Sequence, residues 1–423
     1  MITVPKIHEY QGKRLLKNAG VNVPFGDVAS TVEEVVAIAG KINRPMVIKS
    51  QIGATGRFKA GGIKFAGSVE EARAAAEGLL GREIKGLKVE KVLVEEQLDI
   101  VHEYYAGIII NDSCKVKAPV LMFSIQGGVD VEEVAATTPE KVVTMVLDVL
   151  KPLALADIRQ LLARLPLEEA HVEPLCATVF GLYSVFKAYD ARSMEINPMV
   201  RTRDGKIYAA DCRTVVDEAS VFRHPDLEID YPRDIGRPPT LLERAAWKIE
   251  EKDYRGVGYF VQIALEIKPG TGTVGFHGVG GGGAMVGADA LMRHGLKIAN
   301  YADTSGNPTA SKVYRVIKMI FSQPNIAGYI LMGPVIANQE QWHHAHALVK
   351  ALREELASRP DFPVILLLAG NKDRESLEIL REGLKGLPAR IEIYGREYVG
   401  RVDEIAARMR DMVNEYQPIT EVK

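Results

Sequence analysis

The sequence predicts an α/β protein of two domains, the second a doubly wound parallel sheet. Three observations lead there. The chain has 423 residues, more than one hydrophobic core usually organises. From Gly272 onward, short apolar runs alternate with longer segments of helical period. Between the halves, His224–Pro239 is rich in proline and charge and lacks periodic pattern, as a linker does. The expected domains are therefore 1–235 and 236–423.

In the second half, GTVGF, GYILMG, PVILLLAG and RIEIYG read as buried strands. SKVYRVIKMIF, QEQWHHAHALVKALREEL and VGRVDEIAARMRDMVNEY read as the helices between and after them. Strands alternating with helices imply parallel pairing through right-handed crossovers. In the first half, PMVIKS, KVLVEEQL and KVKAPVLMFSI read as strands, and Ala135–Lys187 as a helical interval. MEINPMVRTRDGKIYAADC reads as a hairpin.

Composition narrows the partners. Hydrophobic residues make up 47% and charged residues 26%, ordinary values for a globular protein, and the net charge of -2 argues for no nucleic-acid or membrane partner. No apolar run is long enough to span a bilayer, and the N-terminal segment lacks a secretory signal. Cys114, Cys176 and Cys212 are too widely spaced for a zinc site or a disulfide framework. A reduced, cytoplasmic protein is expected.

After PMVIKS comes QIGATGRFKAGGI, in which Gly53, Gly56, Gly61 and Gly62 interleave with Arg57 and Lys59. Glycines let backbone N–H groups approach phosphate, and the cations balance its charge. Lys49 closes the preceding strand within reach of the same anion. No GxxxxGK[ST] occurs there, and a flexible basic surface loop has the same composition. In the hairpin, a three-residue loop Arg203-Asp204-Gly205 sets Asn197 opposite Asp211 on one face, with Glu195 beside them. Such hard oxygens suit Mg²⁺ carrying nucleotide phosphates. A two-residue loop would separate them, and a polar solvent face is the plainer alternative.

HEYQGKRLLKNAGVNVP, VIKSQIGATGRFKAGGIK, LVEEQLDI, MEINPMV and YAADC occur in the order and spacing of the ATP-grasp part of succinyl-CoA synthetase β subunits, which this chain resembles. The resemblance implies that Lys49, Arg57 and Lys59 contact ATP phosphates. It implies that Glu95 and Glu96 lie in the segment holding the adenine, that Glu103 bonds the ribose, and that Asn197 and Asp211 are magnesium ligands. Phe58 stands where that family usually has glycine.

Three strands of the second half end in GVGGGGA, GPVIANQ and AGNKD. In a parallel sheet such loops gather at the carboxyl edge, where helix N-termini favour anions. The first loop also suits a dinucleotide site, since Asp303 lies near the required acidic position. The segments GVGGGGAMV, ANYADTSGNP and GPVIAN resemble ATP-citrate lyase, and a free-standing chain of this kind resembles large subunits of citryl-CoA synthetases. That implies an ATP- and Mg²⁺-dependent ligase giving citryl-CoA, ADP and phosphate, the alternative being a succinate–CoA ligase. It implies citrate contacts from Gly281, Gly282, Gly283, Ala337 and Asn338. Asn338 is alternatively the cap of a helix starting near Gln339. The lyase's citrate arginine falls on Leu367, with Arg374 the nearest replacement. The resemblance also implies a smaller partner subunit that carries the phosphohistidine and most of the CoA site, leaving no catalytic residue here. His343, His344 and His346 read as a helix surface, and His277 as structural.

Overall fold

The computed structural model describes residues 6–53, 56–113, 115–129, 131–229, 237, 239–250, 253, 255–333 and 336–416. Backbone contacts divide the chain into two compact units, Met1–Pro238 and Pro239–Lys423. Of the expected linker, residues 230–236 and 238 lie outside the described residues, as does Cys114, while Pro225–Leu227 forms a 3-10 turn.

The first unit contains two main sheets. The smaller is antiparallel, in the order Gly26–Ala29, Val92–Glu96, Met46–Ser50, Ile63–Ala66. Helices Val32–Ile42 and Val69–Leu79 pack on it, each started by a hydroxyl cap, Thr31 or Ser68, accepting the N–H three residues on. Along Met46–Ser50 the side chains alternate. Met46, Ile48 and Ser50 are buried, while Val47 and Lys49 turn to the other face. Lys49 is thus delivered to the face away from the helices.

The larger sheet runs Lys6–Ile7, Arg213–Val216, Ala191–Thr202, Ile100–Asn111, Ala118–Ser124, Val142–Val146, with Ile207–Ala209 also paired to Ala191–Thr202. Its core includes Leu16, Ile108, Leu121, Phe123, Leu175, Leu182 and Ile196. Val142–Val146 corrects the expectation of an all-helical interval at Ala135–Lys187. This β-branched run pairs antiparallel with Ala118–Ser124 at the sheet edge, between helices Val131–Thr137 and Leu155–Leu162.

The hairpin has the expected three-residue loop. Thr202 N–H donates to Lys206 O at 3.0 Å, and Gly205 occupies φ 81°, which a side chain would resist. Met199 pairs with Ala209, so the same register sets Asn197 opposite Asp211. The ladder with Ile100–Asn111 shifts between Ile196 and Met199, around Pro198, which has no N–H to give it.

In the second unit the sheet order is Tyr259–Gln262, Asn300–Asp303, Thr273–Gly278, Tyr329–Met332, Pro363–Leu367, Arg390–Tyr394. All neighbours pair parallel except the first strand, which runs antiparallel on Asn300–Asp303. Two apolar clusters explain the continuous apolar runs. Tyr329, Leu331, Val364 and Leu366 belong to one, with helices Ala310–Phe321 and Trp342–Leu356. Ile330, Met332, Ile365 and Leu367 belong to the other, with helices Gly281–Arg293 and Val402–Glu415. A sheet covered on both faces needs apolar residues at every position. Among the described residues, no helix is long and apolar enough to cross a membrane.

Candidate active site

The polar centre of the first unit begins at helix Glu9–Asn18. Glu9 and Lys13 are one turn apart and share a face. Lys13 Nζ lies 2.7 Å from both Glu95 carboxylate oxygens, 2.9 Å from Glu9 and 2.7 Å from the Ala210 carbonyl. Lys49 Nζ reaches Glu9 at 2.8 Å, Glu95 at 3.0 Å and the same Ala210 carbonyl at 2.7 Å. Arg57 donates to Glu9 at 2.6 Å, to Asp211 at 3.0 Å and to Ser50 O at 3.0 Å. Three cations therefore interlock with three carboxylates.

Position within the network decides how each group titrates. Burial alone would raise Glu9, yet Lys13, Lys49 and Arg57 around it hold its carboxyl well below the ordinary range. Burial works against the charged Lys49, but Glu9, Glu95 and Asp211 raise it far above a free lysine. Asp211 sits at the periphery. Burial and the like charge of Glu9 push it up to about 6, although its side chain keeps 33% exposure.

A cavity of about 350 Å³ adjoins the network, lined among others by Glu9, Arg57, Phe58, Glu195, Asn197 and Asp211. Asn197 Oδ1 accepts the Gly128 N–H at 2.9 Å and its amide reaches Val129 O at 3.3 Å. Glu103, whose carbonyl accepts Gly127 N–H, brings its carboxylate against the same glycine loop. Glu195 is hydrogen-bonded to Tyr105, whose hydroxyl burial and that carboxylate raise. Lys59 is exposed on the loop, and Phe58 is exposed at the cavity.

The structure thus gathers Arg57, Asn197 and Asp211 around one cavity, places Lys49 behind it through Glu9 at 2.8 Å, and sets Glu103 beside the loop that Asn197 holds. Glu95 and Glu96 separate instead, because adjacent strand residues face opposite ways. Glu95 is spent on the two lysines, while Glu96 accepts Phe25 N–H at 2.9 Å and pairs with Arg44. Sequence reasoning missed Glu9 and Lys13 as members of the centre. Among the described residues no three His, Cys, Asp or Glu form a metal cage. Asn197 and Asp211 are a two-oxygen set, which fits a hard cation that keeps its waters and takes phosphate oxygens.

In the second unit, Gly281–Gly283 form the first turn of helix Gly281–Arg293. Its free N–H groups point to the carboxyl edge. The strand before it approaches so closely that a Cβ at Gly278 would lie 2.2 Å from that of Ala284. Asp303 Oδ1 accepts Gly280 N–H at 3.0 Å and Ser305 N–H at 2.7 Å. That carboxylate holds the loop backbone, which counts against the dinucleotide reading. Ala337 is buried and Asn338 exposed on the strand Ala337–Glu340, which pairs with Gly370–Asn371. The helix begins at Trp342 after Gln341, so Asn338 is not its cap, contrary to that expectation. Leu367 is fully buried in the apolar core.

The histidines divide. His277 is enclosed between Tyr329 OH at 2.7 Å and Thr304 Oγ1 at 3.0 Å. His344 is wholly buried, correcting its reading as helix surface; with Leu348 and Leu352 it forms an i, i+4 stripe facing the core. Burial pushes His277 down to about 3 and His344 to about 4. Both are neutral when folded, whereas the unfolded chain takes up protons near pH 6.5. Their contribution is complete above that pH and declines as pH falls from 6.5, towards about 4 for His344 and about 3 for His277. At pH 5 the expected loss is about 2 kcal/mol per histidine. Urea unfolding at pH 7 and pH 5 checks it: His344→Leu should show a smaller acid loss than the parent, and equal losses would refute the assignment.

These geometries define a class, a nucleotide-dependent ligase of ATP-grasp type joined to a doubly wound α/β unit. Residues 6–201 match the ATP-grasp domain family, and residues 260–407 match the ATP citrate lyase citrate-binding family. A succinate–CoA ligase [GDP-forming] β subunit of Thermus thermophilus is 38% identical over 88% of this chain and 93% of its own. An ADP-forming β subunit of Natronomonas pharaonis is 33% identical over 90% and 94%. The chain belongs to the succinate–CoA ligase β-subunit family and is an acid–CoA ligase subunit. An ATP citrate lyase from Methanothrix soehngenii, solved with citrate and coenzyme A, shares the fold, with TM-score 0.75 and 21% identity over 96% of this chain and all of that one.

Proposed function

We propose that this chain is the nucleotide-binding subunit of a ligase that joins citrate to CoA, converting ATP to ADP and phosphate. The observation carrying the choice of acid is the carboxyl edge of the second unit, where the exposed turn Gly281–Gly282 and exposed Asn338 offer N–H donors to an anion, within the stretch that matches a citrate-binding family. Ala337 and Gly283 set the backbone of those loops.

At the nucleotide end, Lys49, Arg57 and Lys59 bind and orient phosphates, and Glu103 holds the ribose. Asn197 and Asp211 hold Mg²⁺, which neutralises phosphate charge when bound. Arg57 moves from Asp211 towards phosphate as the nucleotide enters. Glu95 acts through Lys49, fixing its ammonium. The phosphate is carried by a histidine of a smaller partner subunit that also supplies most of the CoA site. The enclosure of His277 and His344 within this chain supports that division. Succinate is the second reading, favoured by the names of relatives that align over nearly the whole chain.

The test is thioester formation by the chain co-purified with its partner, given ATP, Mg²⁺, CoA and either acid. Citryl-CoA as the main product is expected, and succinyl-CoA alone would reject citrate. The isolated chain is expected to form neither; turnover without a partner would remove the phosphohistidine assignment.

A further inference from the structure

We infer that Arg255 binds a carboxylate of the acid substrate and sets the acid affinity of this chain. The inference rests on reading the second unit as the acid-binding unit. Arg255 lies in the segment before Tyr259–Gln262. Tyr259 pairs with Asp303, so that segment emerges at the same edge as the loops following the parallel strands.

The edge is continuous. Asp303 holds Gly280, and a Cβ on Gly256 would touch Ser305 and Pro308. A Cβ on Gly306 would meet Ala337 at 3.5 Å, and Ala337 pairs with Gly370. Within this row the Arg255 guanidinium bridges two loops. Nη2 donates to Gln339 Oε1 at 3.0 Å and to Asn307 Oδ1 at 3.3 Å. The orientation of Gln339 is fixed, because its own amide donates to Pro308 O at 3.1 Å.

Two facts point to an anionic ligand. First, both side-chain partners are neutral amides, and among the described residues the guanidinium makes no ion pair and its Nε and Nη1 make no hydrogen bond. A half-buried arginine held this way presents a free donor edge suited to bidentate carboxylate binding, with the Asp253 carboxylate its charged neighbour. Second, its backbone is built to hold it still. Lys312, 1% exposed, donates to the carbonyls of Asp253 at 2.7 Å, Arg255 at 2.7 Å and Gly256 at 3.1 Å. The Asp253 carboxylate accepts from Thr309 and from Arg255 N–H. A buried ammonium committed to three carbonyls of one short segment gives the adjoining guanidinium a fixed origin.

Of the other cations at this edge, Lys372 pairs with Glu375 at 3.0 Å, and Arg374 is exposed without the amide bridge that fixes Arg255. Arg396 is bidentate to Asp373, at 2.7 and 2.9 Å, and bonds Gly370 O. Leu367 places no polar group there.

Steady-state kinetics of the complex with its partner tests the inference, with citrate and succinate each varied against ATP. Arg255→Gln is expected to raise the KM of the accepted acid by roughly 10- to 100-fold, the loss of a charge-assisted bidentate pair, with the ATP KM unchanged. Arg255→Lys keeps the charge and should fall between. Arg396→Gln should stay near the parent. Calorimetric titration of the accepted acid into the full chain reads the same loss without turnover, and melting temperatures report folding of each variant. An unchanged acid KM in Arg255→Gln, or an acid KM that rises only in Arg396→Gln, overturns the assignment. If succinate proves the accepted acid, the citrate reading fails while the Arg255 effect is read on succinate.

Discussion

Lys13→Met is expected to destabilise the first unit by about 3–5 kcal/mol, the cost of leaving a buried charge without its partner. The side chain is 4% exposed and its ammonium touches Glu95, Glu9 and the Ala210 carbonyl. Methionine fills the space but returns no charge. Glu95 then keeps Lys49 alone at 3.0 Å, and two buried carboxylates share fewer cations. The penalty comes from an uncompensated buried charge rather than from the bond's own worth. A second change should therefore rescue the first, and Lys13→Met with Glu95→Gln is expected to recover a large part of the loss. Urea denaturation of the four proteins in that cycle measures it. A single-variant loss below about 1 kcal/mol would place the pair with solvent-screened surface bridges instead.

Asp211→Ala is expected to weaken magnesium-dependent nucleotide binding by on the order of 100-fold or more, since losing even an outer-shell partner of a metal ligand costs about 10- to 100-fold. The magnesium-free affinity should hardly change, because Arg57 keeps Glu9 at 2.6 Å and remains free to meet phosphate. The signature is the collapse of the difference between titrations with and without the ion. Asp211→Asn, which preserves an oxygen but not the charge, should fall between. An Asp211→Ala protein retaining the full magnesium dependence would remove this residue from the site. The variant should not unfold the unit, since Asp211 is peripheral and burial already raises its carboxyl to about 6.

Much of the fold was legible because both faces of the second sheet are covered, which writes strands such as VILLL as unbroken apolar runs. Asn197 and Asp211 were legible through the hairpin, where one glycine fixes a register. Lys49 and Arg57 were legible through a strand end and a glycine loop. Glu9 and Lys13 were hidden because a polar helix face turned inward on a carboxylate network has the spacing of one turned to water. Glu95 and Glu96 could have been separated by strand alternation alone. His344 carried a readable signal, its i, i+4 relation to Leu348 and Leu352, which the neighbouring histidines masked. Arg255 lies in no motif. Its place depends on an antiparallel edge strand and a buried lysine far along the chain, which local pattern does not reveal.

The row of loops at the carboxyl edge has an evolutionary consequence. The strands that fix it are anchored by side chains pointing into two apolar layers, while Gly281, Gly282 and Asn338 take no part in those layers. Mutations at the rim can accumulate with little change in folding free energy. If the rim selects the acid, as proposed, a lineage can exchange one acid for another through a few rim residues while its scaffold and nucleotide-binding unit stay unchanged.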